Sequence, residues 1–150
     1  MGVRVTLHLR GSGLGNDAFA NLAESFSGGE LARHRGVDTL TVVAADEGAA
    51  PGAVDKAVEK LRNAVDDARV TRVSPGVVSV PELSALTGVD REKVRAWTRR
   101  EDFPAMFDNL RGHKLWLWRE VIDWVEQETG TVFDDRPPSK ELERRLNGGF

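Results

Sequence analysis

The 150-residue chain contains no cysteine. Disulfide frameworks, thiolate zinc sites, iron–sulfur clusters and thiol nucleophiles are thereby excluded. Long apolar runs are missing too. None approaches the roughly 20 residues that a membrane-spanning helix needs, and the N-terminal stretch lacks the charged-then-apolar order of a signal peptide. The expected compartment is the cytoplasm, with no membrane partner. The three histidines, His8, His34 and His113, are too scattered to suggest a metal site. No nucleophile–base pair and no paired carboxylates stand out; Asp46-Glu47 and Asp66-Asp67 read as solvating charges at element ends. No catalytic residue, metal or cofactor is therefore expected, and the chain does not read as an enzyme. An excess of positive charge is also lacking. Lysine and arginine total 21 against 24 acids, a net charge of -3. Binding to nucleic acid would then require cations gathered on one face.

What is present divides the chain into three parts, 1–75, 76–130 and 131–150, and the fold class is α+β. In the first part, Val3, Val5, Leu7 and Leu9 alternate with Arg4, Thr6, His8 and Arg10, the period of a half-buried strand. Gly11, Gly13 and Gly15 break it. Asn16 or Asp17 is placed to cap a helix with Phe19, Leu22, Ala23 and Phe26 on one face. Residues 30–35 read as a weak edge strand, and Thr39 to Ala44 as a central one. Ala49 to Gly52 reads as a turn. Val54, Ala57, Val58, Leu61, Ala64 and Val65 then recur at helical spacing, and Arg69 to Val73 forms a last strand. With the weak strand counted, the order βαββαβ is that of ferredoxin-like folds, with helices on one sheet face and the other open or paired with a partner; without it the alternative is a three-stranded βαβαβ unit. The strands carry no stacking aromatics, so an RNA-recognition sheet is not expected. The loop Gly11-Ser12-Gly13-Leu14-Gly15 matches neither a dinucleotide fingerprint nor a P-loop. It reads as a turn, with phosphate binding as the lesser alternative.

Ser74-Pro75-Gly76 is a natural hinge, and all four tryptophans lie beyond residue 96. Residues 80–100, VPELSALTGVDREKVRAWTRR, read as a helix-turn-helix. Pro81 suits a first helical turn. Leu83 and Leu86 point that helix inward. Gly88 supplies the sharp turn, and Val89 is its apolar residue. Asp90 caps a second helix, which Val94 and Trp97 anchor in the core. Arg91, Glu92, Lys93, Arg95, Thr98 and Arg99 are left for a DNA major groove. Asp108-Asn109 and Gly112 are turn formers, and Leu115 to Trp118 alternate as a strand. The result is a hairpin wing carrying Arg111, His113 and Lys114 at its tip. A third helix follows, with Val121, Trp124 and Val125 inward. Between Gly88 and Arg119 the local charge is +3, inside a chain that is acidic overall. The tail contains Asp134-Asp135-Arg136-Pro137-Pro138, which reads as a linker. A short helix follows, capped by Ser139, that must dock to persist.

Residues 78–128 resemble the winged helix-turn-helix of the MerR and excisionase superfamily as it occurs in small proteins of high-GC bacteria. The residues that carry the resemblance are Glu82-Leu83, the turn Thr87 to Val89, the Val-Arg-x-Trp run at Val94 to Trp97, Phe103-Pro104, and Leu115 to Val121. The resemblance implies contacts to double-stranded DNA. Arg91, Glu92 and Arg95 would stand at base-reading or phosphate positions of the second helix, and Arg111 and Lys114 on the wing. It implies neither the long dimerisation helix nor the effector cysteines of MerR regulators. The leading expectation is a sequence-specific DNA-binding protein that regulates transcription, its N-terminal domain forming a homodimer or holding a protein partner. Two other readings stand beside it: a protein-interaction adaptor of the antitoxin or phage-defence kind, and a regulator whose N-terminal domain senses a ligand in the ACT manner.

Overall fold

The computed structural model describes residues 2–10 and 13–150; the glycine-loop residues Gly11 and Ser12 lie outside the described residues. The architecture is mixed α+β, in two compact units. The first comprises 1–74 and 135–150, the second 75–134.

The first unit contains β1 (Gly2–Arg10), α1 (Asn16–Ser25), β2 (Glu30–His34), β3 (Val37–Ala44), α2 (Ala50–Ala64) and β4 (Arg69–Val73). Its main sheet runs β2-β3-β1-β4 with antiparallel pairing throughout. The registers Val5↔Val42, Leu7↔Leu40 and Leu31↔Leu40 bring apolar residues together on one face, since cross-strand partners share a face. β4 meets the same demand through a bulge. His8 pairs with Arg72 but Leu9 with Val70, so Thr71 is the extra residue and its hydroxyl donates to the His8 carbonyl at 3.2 Å. The bulge lets both Val70 and Val73 be buried although they are three apart. Phe19 of α1 and Ala50, Val54, Ala57, Val58 and Leu61 of α2 complete this core. The opposite sheet face carries Arg4, Thr6, His8, Thr39, Thr41, Val43 and Arg72, none of them buried.

Two local readings are corrected. α1 begins on Gly15 as its N-cap without a side-chain cap. Asn16 instead accepts from Arg33, which also donates to the Leu14 carbonyl at 3.0 Å, pairs with Asp38 at 2.5 Å and lies 4.3 Å over the Phe19 ring. Its bond to Asp38 holds the Arg33 guanidinium above its ordinary pKa. The turn expected at Ala49 to Gly52 ends at Ala49; Ala50 to Gly52 are already helix. Proline is tolerated in the first turn, where its missing N–H has no intrahelical acceptor, and α2 starts at Ala50.

Of the C-terminal stretch 131–150, read as linker and helix, residues 135–150 are part of the first unit. β8 (Asp135–Arg136) lies parallel to the start of β1, pairing Gly2 with Asp135. A Cβ at Gly2 would meet Asp135 Oδ1 at 2.7 Å, so glycine admits the strand. Arg4 pairs with Asp135 at 3.1 Å. Ser139 caps α6 (Lys140–Asn147), its hydroxyl oxygen accepting from the Leu142 N–H at 3.1 Å. Leu142 and Leu146 enter the core. Asn147 Oδ1 accepts from the Val73 N–H at 2.7 Å, satisfying a donor of β4.

The second unit contains β5 (Val77–Val78), α3 (Val80–Thr87), α4 (Arg91–Thr98), β6 (Asp108–Leu110), β7 (His113–Leu117) and α5 (Trp118–Thr129). β5 and β6 flank β7 in a small antiparallel sheet. Val78, Leu83, Val94, Trp97, Phe103, Trp116, Val121 and Val125 form its core. Trp124 is half-buried and packs edge-on to Trp97, with ring centres 5.6 Å apart, and beside Phe103 at 4.8 Å. Leu86 does not point inward as expected. It is 48% exposed, because an eight-residue helix offers only a narrow buried stripe and Leu83 occupies it. Trp118 is not on the Trp116 strand. The chain turns into α5 there, and Trp118 packs on Phe133, 5.1 Å between ring centres.

Candidate nucleic-acid interface

The turn between α3 and α4 is set by short-range chemistry. Gly88 ends α3 at φ 73°, a conformation that costs glycine little and a branched residue much. Ser84 Oγ donates to the Val89 carbonyl at 2.6 Å. Thr87 Oγ1 donates to the Leu83 carbonyl at 2.7 Å and accepts from the Val89 N–H at 3.2 Å. These bonds close the backbone groups of the turn. Asp90 then caps α4, its Oδ1 accepting from the Lys93 N–H at 3.1 Å. The cap, the turn and the two anchors Val94 and Trp97 fix α4 with one side in the core and the other outside.

The outer side carries Arg91, Glu92, Lys93, Arg95 and Arg99, all exposed, and Thr98, half-buried. Arg95 is ion-paired with Glu92, one turn earlier on the same helix. The Thr98 hydroxyl donates to the Arg95 carbonyl at 2.7 Å. While that bond holds, Thr98 has no hydrogen to offer a phosphate, which only accepts. Among the described residues Arg91, Lys93 and Arg99 have no ion-pair partner. Arg100 differs. It bonds Glu128 at 2.9 Å and Asp102 at 3.1 Å, carboxylates that raise its pKa, and lies 5.1 Å from the Trp124 ring centre; the Glu128 and Trp124 contacts tie the end of α4 to α5.

β6 and β7 form a hairpin closed by Arg111-Gly112, both at positive φ. Arg111, His113 and Lys114 are exposed at its tip, as expected from the sequence. Neither Arg111 nor Lys114 has an ion-pair partner among the described residues. The second unit is electrically divided: α4 and the hairpin hold the unpaired cations, while α5 carries Glu120, Asp123, Glu126 and Glu128. The sequence pattern does not single out Met106, Phe107 and Leu110, which leave 44%, 53% and 62% of their surface exposed. Local periodicity gives no sign of it, since an alternating apolar residue on a short ribbon reads as core.

No family model, curated protein or solved structure matches the chain. The described residues contain no group of histidine and acidic side chains suited to a metal ion. No helix among them is long and apolar enough to cross a membrane.

Proposed function

We propose that the protein binds double-stranded DNA in a sequence-specific way and regulates transcription. In this reading the second unit is a winged helix-turn-helix of the MerR and excisionase type, with α4 in the major groove and the β6–β7 hairpin as the wing. The observation that supports it best is the pairing of a capped, core-anchored helix with three cations, Arg91, Lys93 and Arg99, that have no ion-pair partner among the described residues. Arginine matches guanine O6 and N7 in the major groove and also pairs with phosphate. The charge-rich outer side of α4 would be costly to desolvate against an apolar protein surface, whereas phosphates compensate it.

Arg95 has a defined role here. Its pair with Glu92 is exposed and contributes little stability in water. Glu92 holds the guanidinium along the helix axis, and a guanine edge would compete for it. In vitro selection from random duplexes should recover a consensus site. On that site Arg95→Ala is expected to weaken binding by about 1–3 kcal/mol and to relax the preference at one base pair. An unchanged affinity and consensus would remove Arg95 from base reading.

The first unit, with strand order β2-β3-β1-β4, is read as a ferredoxin-like domain. Its open sheet face is the proposed dimer or partner surface. Operator half-sites are commonly read by paired modules, so a homodimer fits a sequence-specific protein of this size. The adaptor reading rests on the same sheet face. Stoichiometric co-purification of one other protein, without DNA affinity, would favour it.

A further inference from the structure

Leu110 stands at the end of the wing for a reason of register. It pairs with His113, and Asn109 pairs with Lys114. Cross-strand partners share a face, and neighbours along a strand alternate. Trp116 therefore belongs to the Asn109–Lys114 face, and it is buried in the core of the second unit. Leu110 is turned to the other face and has no part in that core, with 62% of its surface exposed. The Arg111-Gly112 turn follows it directly, and glycine with φ 85° keeps the tip narrow. From 106 to 117 the only acid is Asp108, against Arg111 and Lys114.

We propose that Leu110 is an apolar wedge that enters the minor groove and parts two stacked base pairs. The proposal rests on the DNA-binding reading above and adds the manner of contact. A leucine edge presented on a narrow ribbon fits between base planes, where it exchanges water for the apolar faces of the rings. Arg111 and Lys114 flank it and meet the phosphates on the groove rims. The hairpin from 106 to 117 is net positive, with Arg111 and Lys114 against Asp108, and positive charge around the leucine favours a polyanion as the occupant. Met106 and Phe107, also exposed, precede the same hairpin at its base.

The test uses the full chain and a duplex recovered by selection, with 2-aminopurine placed at successive positions. Wild-type binding is expected to raise the fluorescence severalfold at one step, where the probe is unstacked. Leu110→Ser should abolish that rise while retaining binding with the same salt dependence, and Leu110→Met should keep it. Because Leu110 is exposed, the thermal midpoint of each variant should match the wild type. Binding by the wild type with no unstacked position overturns the wedge and leaves the DNA-binding reading standing. A rise that persists in Leu110→Ser does the same. Absence of any duplex binding by the wild type overturns both.

Discussion

Trp97→Ala is expected to destabilise the second unit by about 3–5 kcal/mol, the usual range for removing a buried tryptophan. Trp97 is 9% exposed, and its ring is edge-on to Trp124, which in turn packs on Phe103. Its loss opens a cavity beside Trp124, between α4 and α5. A unit of this size has little stability to spare, so much of it should unfold near room temperature. The measurement is direct because all four tryptophans lie beyond residue 96. The remaining Trp116, Trp118 and Trp124 report on the second unit alone. Their emission should shift to the red at a lower urea concentration than in the wild type. A midpoint within the error of the wild type would show that Trp97 does not anchor α4, and the outward display of Arg91 and Arg95 would lose its explanation.

The second large effect concerns the first unit. Leu142→Ala combined with Leu146→Ala is expected to cost about 4–8 kcal/mol, each deletion contributing roughly 2–5 kcal/mol and the pair adding imperfectly within one helix. Both side chains lie in the core beneath the sheet. Losing α6 also removes the Asn147 acceptor from the Val73 N–H. Hydrogen exchange read at Val5, Leu7 and Leu40 gives the answer. Protection there should fall by at least two orders of magnitude, since about 1.4 kcal/mol corresponds to a factor of ten. Unchanged protection would mean that α6 only rests on the unit and that the tail is the linker its proline pair suggests.

That tail marks the limit of what the sequence makes legible. Strand β1 and helix α2 declare themselves through periods of two and 3.6, and both occur where the alternation of Val3 to Arg10 and the spacing of Val54 to Leu61 put them. The weak strand at 30–35 occurs at a sheet edge, and 39–44 lies within a strand between two others. Asp135 pairing with Gly2, by contrast, is a contact across nearly the whole chain. No local pattern encodes it; only the shape of the sheet edge does. The starting point of α2 was hidden by Pro51-Gly52, residues that signal a turn but are compatible with a first helical turn.

The candidate interface was more legible because its signals are local. Gly88, Asp90, Val94 and Trp97 each specify one step of a turn, a cap and an anchor, and the structure has all of them. Two things were out of reach. One was how the outer cations are engaged, since the Glu92–Arg95 pair and the Thr98 hydroxyl bond depend on side-chain reach rather than spacing. The other was the exposure of Leu86 and Leu110. An apolar residue at the expected period reads as core, yet a two-turn helix and a three-residue strand bury less than their period promises.

The measurement closest to the central claim is the affinity of the full chain for its selected duplex as salt is raised from about 50 to 200 mM. Arg91, Lys93, Arg99, Arg111 and Lys114 are the cations of the second unit that have no ion-pair partner among the described residues. Each that meets a phosphate contributes about -0.9 to the slope of log affinity against log salt. A slope of roughly -2 to -5 per chain is expected, a loss of one to three orders of magnitude across that range. Affinity independent of salt, or no affinity at the lowest concentration, would contradict the account.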